Sequence, residues 1–250
     1  MKGKIFLAGA AGAIGRRLGL LLVDADYEVF GTTRSAAKAA ELESVGVKPV
    51  IIDVFDGPAL SLVMATVQPD IVMHQLTDLA LGLDPKLMDE ARVRNARIRS
   101  EGTRNLVAAA LAGGARRIIA QSIAWAYAPG PQPYSENDAL DLEAEGTRRV
   151  SVQGVATLER LTTTSHPLEG VVLRYGQLYG PGTGNDKPIG SPPLHVDAAA
   201  QAALLAIQGA EPGVYNIAED TGFVSIAKAR RELGWDPGFR LVGRKIGALP

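Results

Sequence analysis

The chain has 250 residues, 46% of them hydrophobic, enough to fill the core of one large α/β domain or of a domain with a small lobe. Its 26 basic and 27 acidic side chains leave a net charge of −1, which points away from nucleic acid and anionic membrane surfaces as partners. Cysteine is absent, which excludes disulfides and thiol nucleophiles, and the three histidines, His74, His166 and His195, lie far apart, so no metal is expected.

The first strand is the apolar run Lys4 to Ala8, which leaves no room for a signal peptide, and no apolar run approaches a membrane span. A soluble, cytoplasmic protein is the expectation. Gly9-Ala10-Ala11-Gly12-Ala13-Ile14-Gly15 follows, leading into a helix over Arg16 to Val23. Strand, glycine turn and helix form the context in which this spacing binds a dinucleotide. Glycine lets the backbone approach a pyrophosphate, and the free N–H groups of the helix terminus meet its charge.

Further along come a strand at Tyr27 to Thr32, a helix from Ser35 to Ser44 with Ser35 as N-cap, a strand at Val50 to Ile52 and a helix from Pro58 to Val67. A fourth strand, Asp70 to His74, precedes one long helix from Pro85 to Ala112, stopped by Gly113-Gly114. A fifth strand, Arg117 to Gln121, a helix over Leu142 to Thr164 and a sixth strand, Val171 to Arg174, complete the alternation. Short apolar strands alternating with amphipathic helices predict an α/β fold with a doubly wound parallel sheet, its ligands at the carboxyl ends of the strands. Two stretches break the pattern. Pro129 to Asp138 reads as a loop, and Gly180 to Pro193 holds four glycines and four prolines in fourteen residues.

Thr32-Thr33-Arg34 closes the second strand about twenty residues beyond the glycine turn, where an NAD site places an acidic residue on the ribose. None is present, and Arg34 suits a 2′-phosphate instead, so NADP is preferred over NAD. Asp53 either accepts from the adenine amino group or caps the helix near Asp56 to Pro58. His74 reads as a buried, hydrogen-bonded core residue.

The glycine turn, Val72 to Thr77, Asn95 with Gly102-Thr103-Arg104-Asn105-Leu106, the run Leu173 to Gly182, His195-Val196-Asp197 and Leu233-Gly234-Trp235 occur in order. Together they resemble the NAD-dependent epimerase/dehydratase family, the extended or atypical short-chain dehydrogenase/reductases, over nearly the whole chain. The resemblance implies a Rossmann domain at 1–174 and a small, shortened substrate lobe at 175–250, interleaved with the core. It implies cofactor contacts from Gly9, Ala11, Gly12, Ala13, Ile14, Gly15, Thr33, Arg34, Asp53, His74, Gln75, Leu76, Asn95, Gln121, Tyr175 and Gln177. The partner would be a small carbonyl, alcohol or sugar-nucleotide substrate, with a homodimer formed through the two long helices as a further expectation.

Active members of that family use a Ser or Thr after the fifth strand and Tyr-x-x-x-Lys on the next helix, where tyrosine exchanges the proton and lysine lowers its pKa. No Tyr-x-x-x-Lys occurs here. Counting back from Glu159 places Ser151 at the tyrosine and Val155 at the lysine, and a serine hydroxyl cannot serve as an acid near neutral pH. Ser122 lies one residue short of the family's catalytic serine, and Tyr127 either acts as a substitute acid or packs with Trp125 against the long loop. Two readings follow: a reductase or epimerase-like enzyme with non-standard acid–base groups, or a degenerate module that senses NADP(H) or another ligand. The stretches between Gly182 and His195 and between Phe223 and Arg230 are short for the family.

Overall fold

The computed structural model describes residues 1–78 and 88–241. Seven parallel strands form one sheet in the order β3-β2-β1-β4-β5-β6-β9: β1 (Lys4–Ala8), β2 (Glu28–Thr33), β3 (Lys48–Ile51), β4 (Ile71–His74), β5 (Arg117–Ile123), β6 (Glu169–Tyr175) and β9 (Gly213–Ile217). The pleat explains why the strands read as unbroken apolar runs. Ile5 and Leu7 of β1 enter the core on one face, and Phe6 and Ala8 enter the core on the other.

On the first face lie α1 (Ala13–Asp24), packed against α7 (Val196–Gly209), and α2 (Ala36–Glu43), whose N-cap is Ser35. On the second lie α3 (Gly57–Val67), which packs on α5 (Thr103–Ala112), and α4 (Met88–Arg97), which packs on α6 (Gly146–Thr164). Gly154 makes the latter contact possible, because a Cβ there would stand 3.0 Å from the Ala96 backbone. A two-stranded ribbon, β7 (Gln177–Tyr179) with β8 (Pro193–His195), and a short helix, α8 (Ala227–Leu233), stand beyond the sheet's carboxyl edge and in the C-terminal segment. The strand order reverses between β1 and β4, so the crevice expected for a ligand opens at Gly9 and Gln75.

Four sequence expectations are corrected. The helix ending at Ala112 is not α-helical throughout: Ile98–Gly102 is a π-helical turn between α4 and α5, and the expected start at Pro85 lies outside the described residues. Strand β5 runs on to Ile123, so Ser122 belongs to the strand instead of following it. The helix expected from Leu142 starts at Gly146. The helix cap near Pro58 is Asp56, whose Oδ1 accepts from the Ala59 N–H at 3.0 Å, whereas Asp53 accepts from the Phe55 N–H in the preceding turn. The sheet also gains a seventh strand, β9, beside β6.

One buried carboxylate ties β5, α6 and β6 together. Glu159 of α6 accepts from Ser122 Oγ at 2.7 Å and from two nitrogens of Arg174, at 2.9 and 2.7 Å. Arg174 also donates to Tyr127 Oη at 2.8 Å, and Tyr127 donates in turn to Asn216 Oδ1 of β9 at 2.6 Å. Removing the anion would strand the guanidinium in the core, which costs about 3–5 kcal/mol. Glu159→Ala is therefore expected to lower the unfolding free energy by about that amount in denaturant titrations.

His74 is fully buried at the end of β4. Its Nδ1 accepts from the Leu76 N–H, so Nε2 carries the proton toward Thr103 Oγ1 at 3.0 Å. Burial pushes its pKa down to about 4, helped by the Arg99 charge. Unfolded, the ring takes up a proton near its ordinary 6.5, so its contribution to stability is lost as pH falls from there toward 4. Between pH 7 and pH 5 the wild type should lose about 2 kcal/mol more than His74→Gln does, read by paired denaturant melts.

Candidate functional site

The glycine turn is built from mutual close approach. Gly9 has φ +88° and a Cβ on it would lie 2.6 Å from the Gln75 carbonyl oxygen; a Cβ on Gly15 would lie 2.1 Å from the Gly9 carbonyl oxygen. Gly12 is different. A Cβ there would meet only the Gly9 oxygen at 3.3 Å, a tight contact but far less crowded than at Gly9 or Gly15. Gly12 is also the N-cap of α1 and supplies no side-chain cap, which leaves the first amides of the helix without a side-chain acceptor. Bare amides at a helix N-terminus behind a side-chain-free turn suit a pyrophosphate.

A cleft of about 330 Å³ runs from this turn across the carboxyl ends of β1, β2 and β4. Of the residues expected to hold a cofactor, Gly9, Ala11, Gly12, Thr33, Arg34, Asp53, Gln75 and Leu76 line it. Thr32 fixes the turn by accepting the Gly9 N–H at 3.0 Å. At the β2 end Arg34 is exposed, with Lys38 one turn further along; among the described residues neither side chain has a hydrogen bond or an ion pair. At the β4 end, Gln75 is 5% exposed, and its side-chain amide is sealed from solvent beside the Tyr175 hydroxyl.

The remaining expected contacts stand outside the cleft's lining. Ile14 and Tyr175 are core residues, and the Tyr175 hydroxyl donates to the Ala199 carbonyl at 3.1 Å, with burial raising its pKa. Ala13 and Gly15 lie in the first turn of α1, where Gly15 serves the close packing of the turn. Asn95 is buried and accepts the Asp78 N–H at 3.1 Å, pinning the loop after β4. Gln121 is half-buried in β5, and the Gln177 side chain lies over Gly190.

A second cleft, of about 250 Å³, opens between β5 and α6. Ile123, Trp125, Ser151 and Val152 line it together with Arg92, Thr147 and Arg148. Arg148 donates to the Trp125 and Tyr127 carbonyls and pairs with Asp141 at 2.7 Å, holding the segment after β5 in place. Val155 is fully buried against the same apolar group. Ser122 and Tyr127, expected as replacement catalytic groups, point into the Glu159–Arg174 network, and neither lines a cleft. Tyr127 stacks on Tyr134, not Trp125, with ring centres 4.9 Å apart, and burial raises its pKa despite the adjacent Arg174.

Two side chains went unrecognised in the sequence. Lys38 was legible, four residues beyond Arg34 in the first turn of the helix that Ser35 caps. Arg99 was not, because the run from Arg92 to Arg99 reads as a solvated charged face; in the structure Arg99 is only 8% exposed. Among the described residues no group of three or more His, Asp or Glu is placed to hold a metal, and no helix is long and apolar enough to cross a membrane.

Residues 5–193 match the model of the NAD-dependent epimerase/dehydratase family. A 3-diazoavenalumate denitrifying reductase from a Streptomyces species is 38% identical over 239 residues, covering 87% of this chain and 76% of that protein. A UDP-N-acetyl-α-D-glucosaminuronate decarboxylase from Bacillus cytotoxicus is 30% identical over 216 residues, covering 84% of this chain and 65% of its own length. The fold is shared with the UDP-glucose 4-epimerase of Thermotoga maritima, solved with UDP-glucose, at a TM-score of 0.76 and 18% identity over 95% of this chain and 94% of that one. The Thermus thermophilus UDP-glucose 4-epimerase, solved with NAD, gives 0.71 and 20% over 94% and 84%. With three quarters of its length matched by the family model, this chain belongs to the NAD-dependent epimerase/dehydratase family.

Proposed function

We propose that the chain is a reductase that draws hydride from a nicotinamide dinucleotide held in the first cleft and delivers it to a diazo carboxylate held in the second. The observation that carries this reading is the lining of the second cleft. Ile123, Ser151 and Val152 face it, and none of them can donate a proton near neutral pH. When bound, a reduced nicotinamide supplies a hydride. The electrophile suited to walls without an acid is one whose leaving group departs with its own electron pair. A diazonium carbon is such a centre: the hydride pair forms the new C–H bond, the C–N pair leaves with N2, and no proton changes hands. The relative at 38% identity is named for denitrifying reduction of a diazo carboxylate, which supports the substrate class. Trp125 offers an indole face for an aromatic ring.

The chain's own residues have three tasks in this reading. The glycine turn and the α1 amides bind the pyrophosphate. Gln75 and Leu76 border the cofactor at the β4 end of the cleft. Arg34 and Lys38 take a 2′-phosphate, which favours NADP over NAD.

The test is stoichiometric: N2 released and NADPH consumed in equal amounts with an aryl diazo carboxylate. Binding of NADPH with no N2 release would instead favour the second reading, a ligand-sensing module, which the buried commitments of Ser122 and Tyr127 also suit. Ser151→Ala is expected to keep turnover within about threefold, whereas a residue acting as general acid would lose about 10²–10⁴. Arg34→Ala should weaken NADPH about ten- to thirtyfold and leave NADH nearly unchanged, measured by nicotinamide fluorescence titration.

A further inference from the structure

We propose that Arg99 is the anion anchor of the substrate site, a guanidinium held in the interior to receive the substrate's carboxylate. The inference rests on the carboxylate reading above but on different observations. Arg99 is 8% exposed, yet among the described residues it makes no hydrogen bond and no ion pair. None of its nitrogens is among the sealed unpartnered atoms, so open space reaches the group. An interior guanidinium normally has a carboxylate partner, since an uncompensated charge there is costly. Among the described residues, the one buried carboxylate within its electrostatic reach, Glu159, is already occupied by Ser122 and by both arms of Arg174. Two arginines and one glutamate leave a single positive charge without a counter-charge. His74, the other titratable neighbour, is neutral and cannot supply one.

The placement fits a ligand as well as the charge does. Arg99 sits in the π-helical turn, a deviation from regular helix that frequently marks functional positions. Its neighbour Ile98 lines the first cleft, and Arg92, two helical turns earlier, lines the second. Arg99 itself lines neither cleft; it follows Ile98 on the helical run, α4 and the π turn, that contributes a residue to each. A carboxylate is the anion that a guanidinium fork receives through two parallel hydrogen bonds.

The probe is cinnamate, with its neutral amide cinnamamide as control, titrated calorimetrically into the protein with and without NADPH. Wild type should bind cinnamate, and Arg99→Gln should lose at least tenfold and up to about a hundredfold of that affinity. Arg99→Lys should retain part of it, and cinnamamide should bind wild type and Arg99→Gln alike. Without ligand, Arg99→Gln should melt no lower than wild type, because it removes an uncompensated charge; a purely structural arginine would show the opposite. Unchanged cinnamate affinity, no cinnamate binding to wild type, an equal loss for cinnamamide, or a parallel loss of NADPH affinity each overturns the anchor. N2 release with substrate binding indifferent to Arg99 removes the anchor and leaves the reductase. Arg99-dependent cinnamate binding without N2 release removes the diazo reading and leaves the anion site.

Discussion

The Glu159 carboxylate is the constraint on which the packing of β5, α6 and β6 depends. Both of its oxygens are taken, by a hydroxyl from β5 and two arms of a guanidinium from β6, so the helix that carries it has one permitted position against the sheet. A charge pair this deep adds little net stability over an apolar core, but its geometry is unforgiving. Tyr127 and Asn216 extend the same network to β9 and to the loop that includes Tyr134. That is why Ser122 and Tyr127, which occupy suggestive places in the sequence, are spent on architecture.

The two clefts use different physics. The first is a backbone site, in which a turn stripped of side chains exposes amides at the end of a helix and the sheet's topology locates it. The second is a side-chain site, in which Arg92, Thr147, Arg148 and Ser151 share the lining with apolar residues. Each is marked by what it lacks: the first lacks side chains at its glycine turn, and the second lacks a His, Asp or Glu among its lining residues.

Much of this was legible in the sequence because the signals are local. The glycine spacing, Ser35 as N-cap and the apolar runs of β1 and β4 each act over a few residues, and each appears as read. The seventh strand was missed because Gly213 to Ile217 follows the lobe-like stretch and is defined only by pairing with β6, a long-range contact. The π turn was missed because one hydrogen-bond shift leaves no mark in composition, and Arg99 is buried within it. The partners of Ser122 and Tyr127 lie 37 and 89 residues away, beyond any spacing argument.

Arg17 and Asp197 draw a different consequence from the same architecture. Arg17, in the helix that opens at the glycine turn, is buried and bonds Asp197 at 2.6 Å across 180 residues, and the other oxygen of Asp197 accepts the Leu241 N–H. Closing so long a loop is entropically expensive unless the intervening sheet has already brought the ends together. The link thus belongs late in folding, after the parallel strands have assembled. During synthesis the first helix emerges with its arginine and must wait for most of the chain before a counter-charge arrives. Until Asp197 is made, the nucleotide-binding turn has no finished support beneath it.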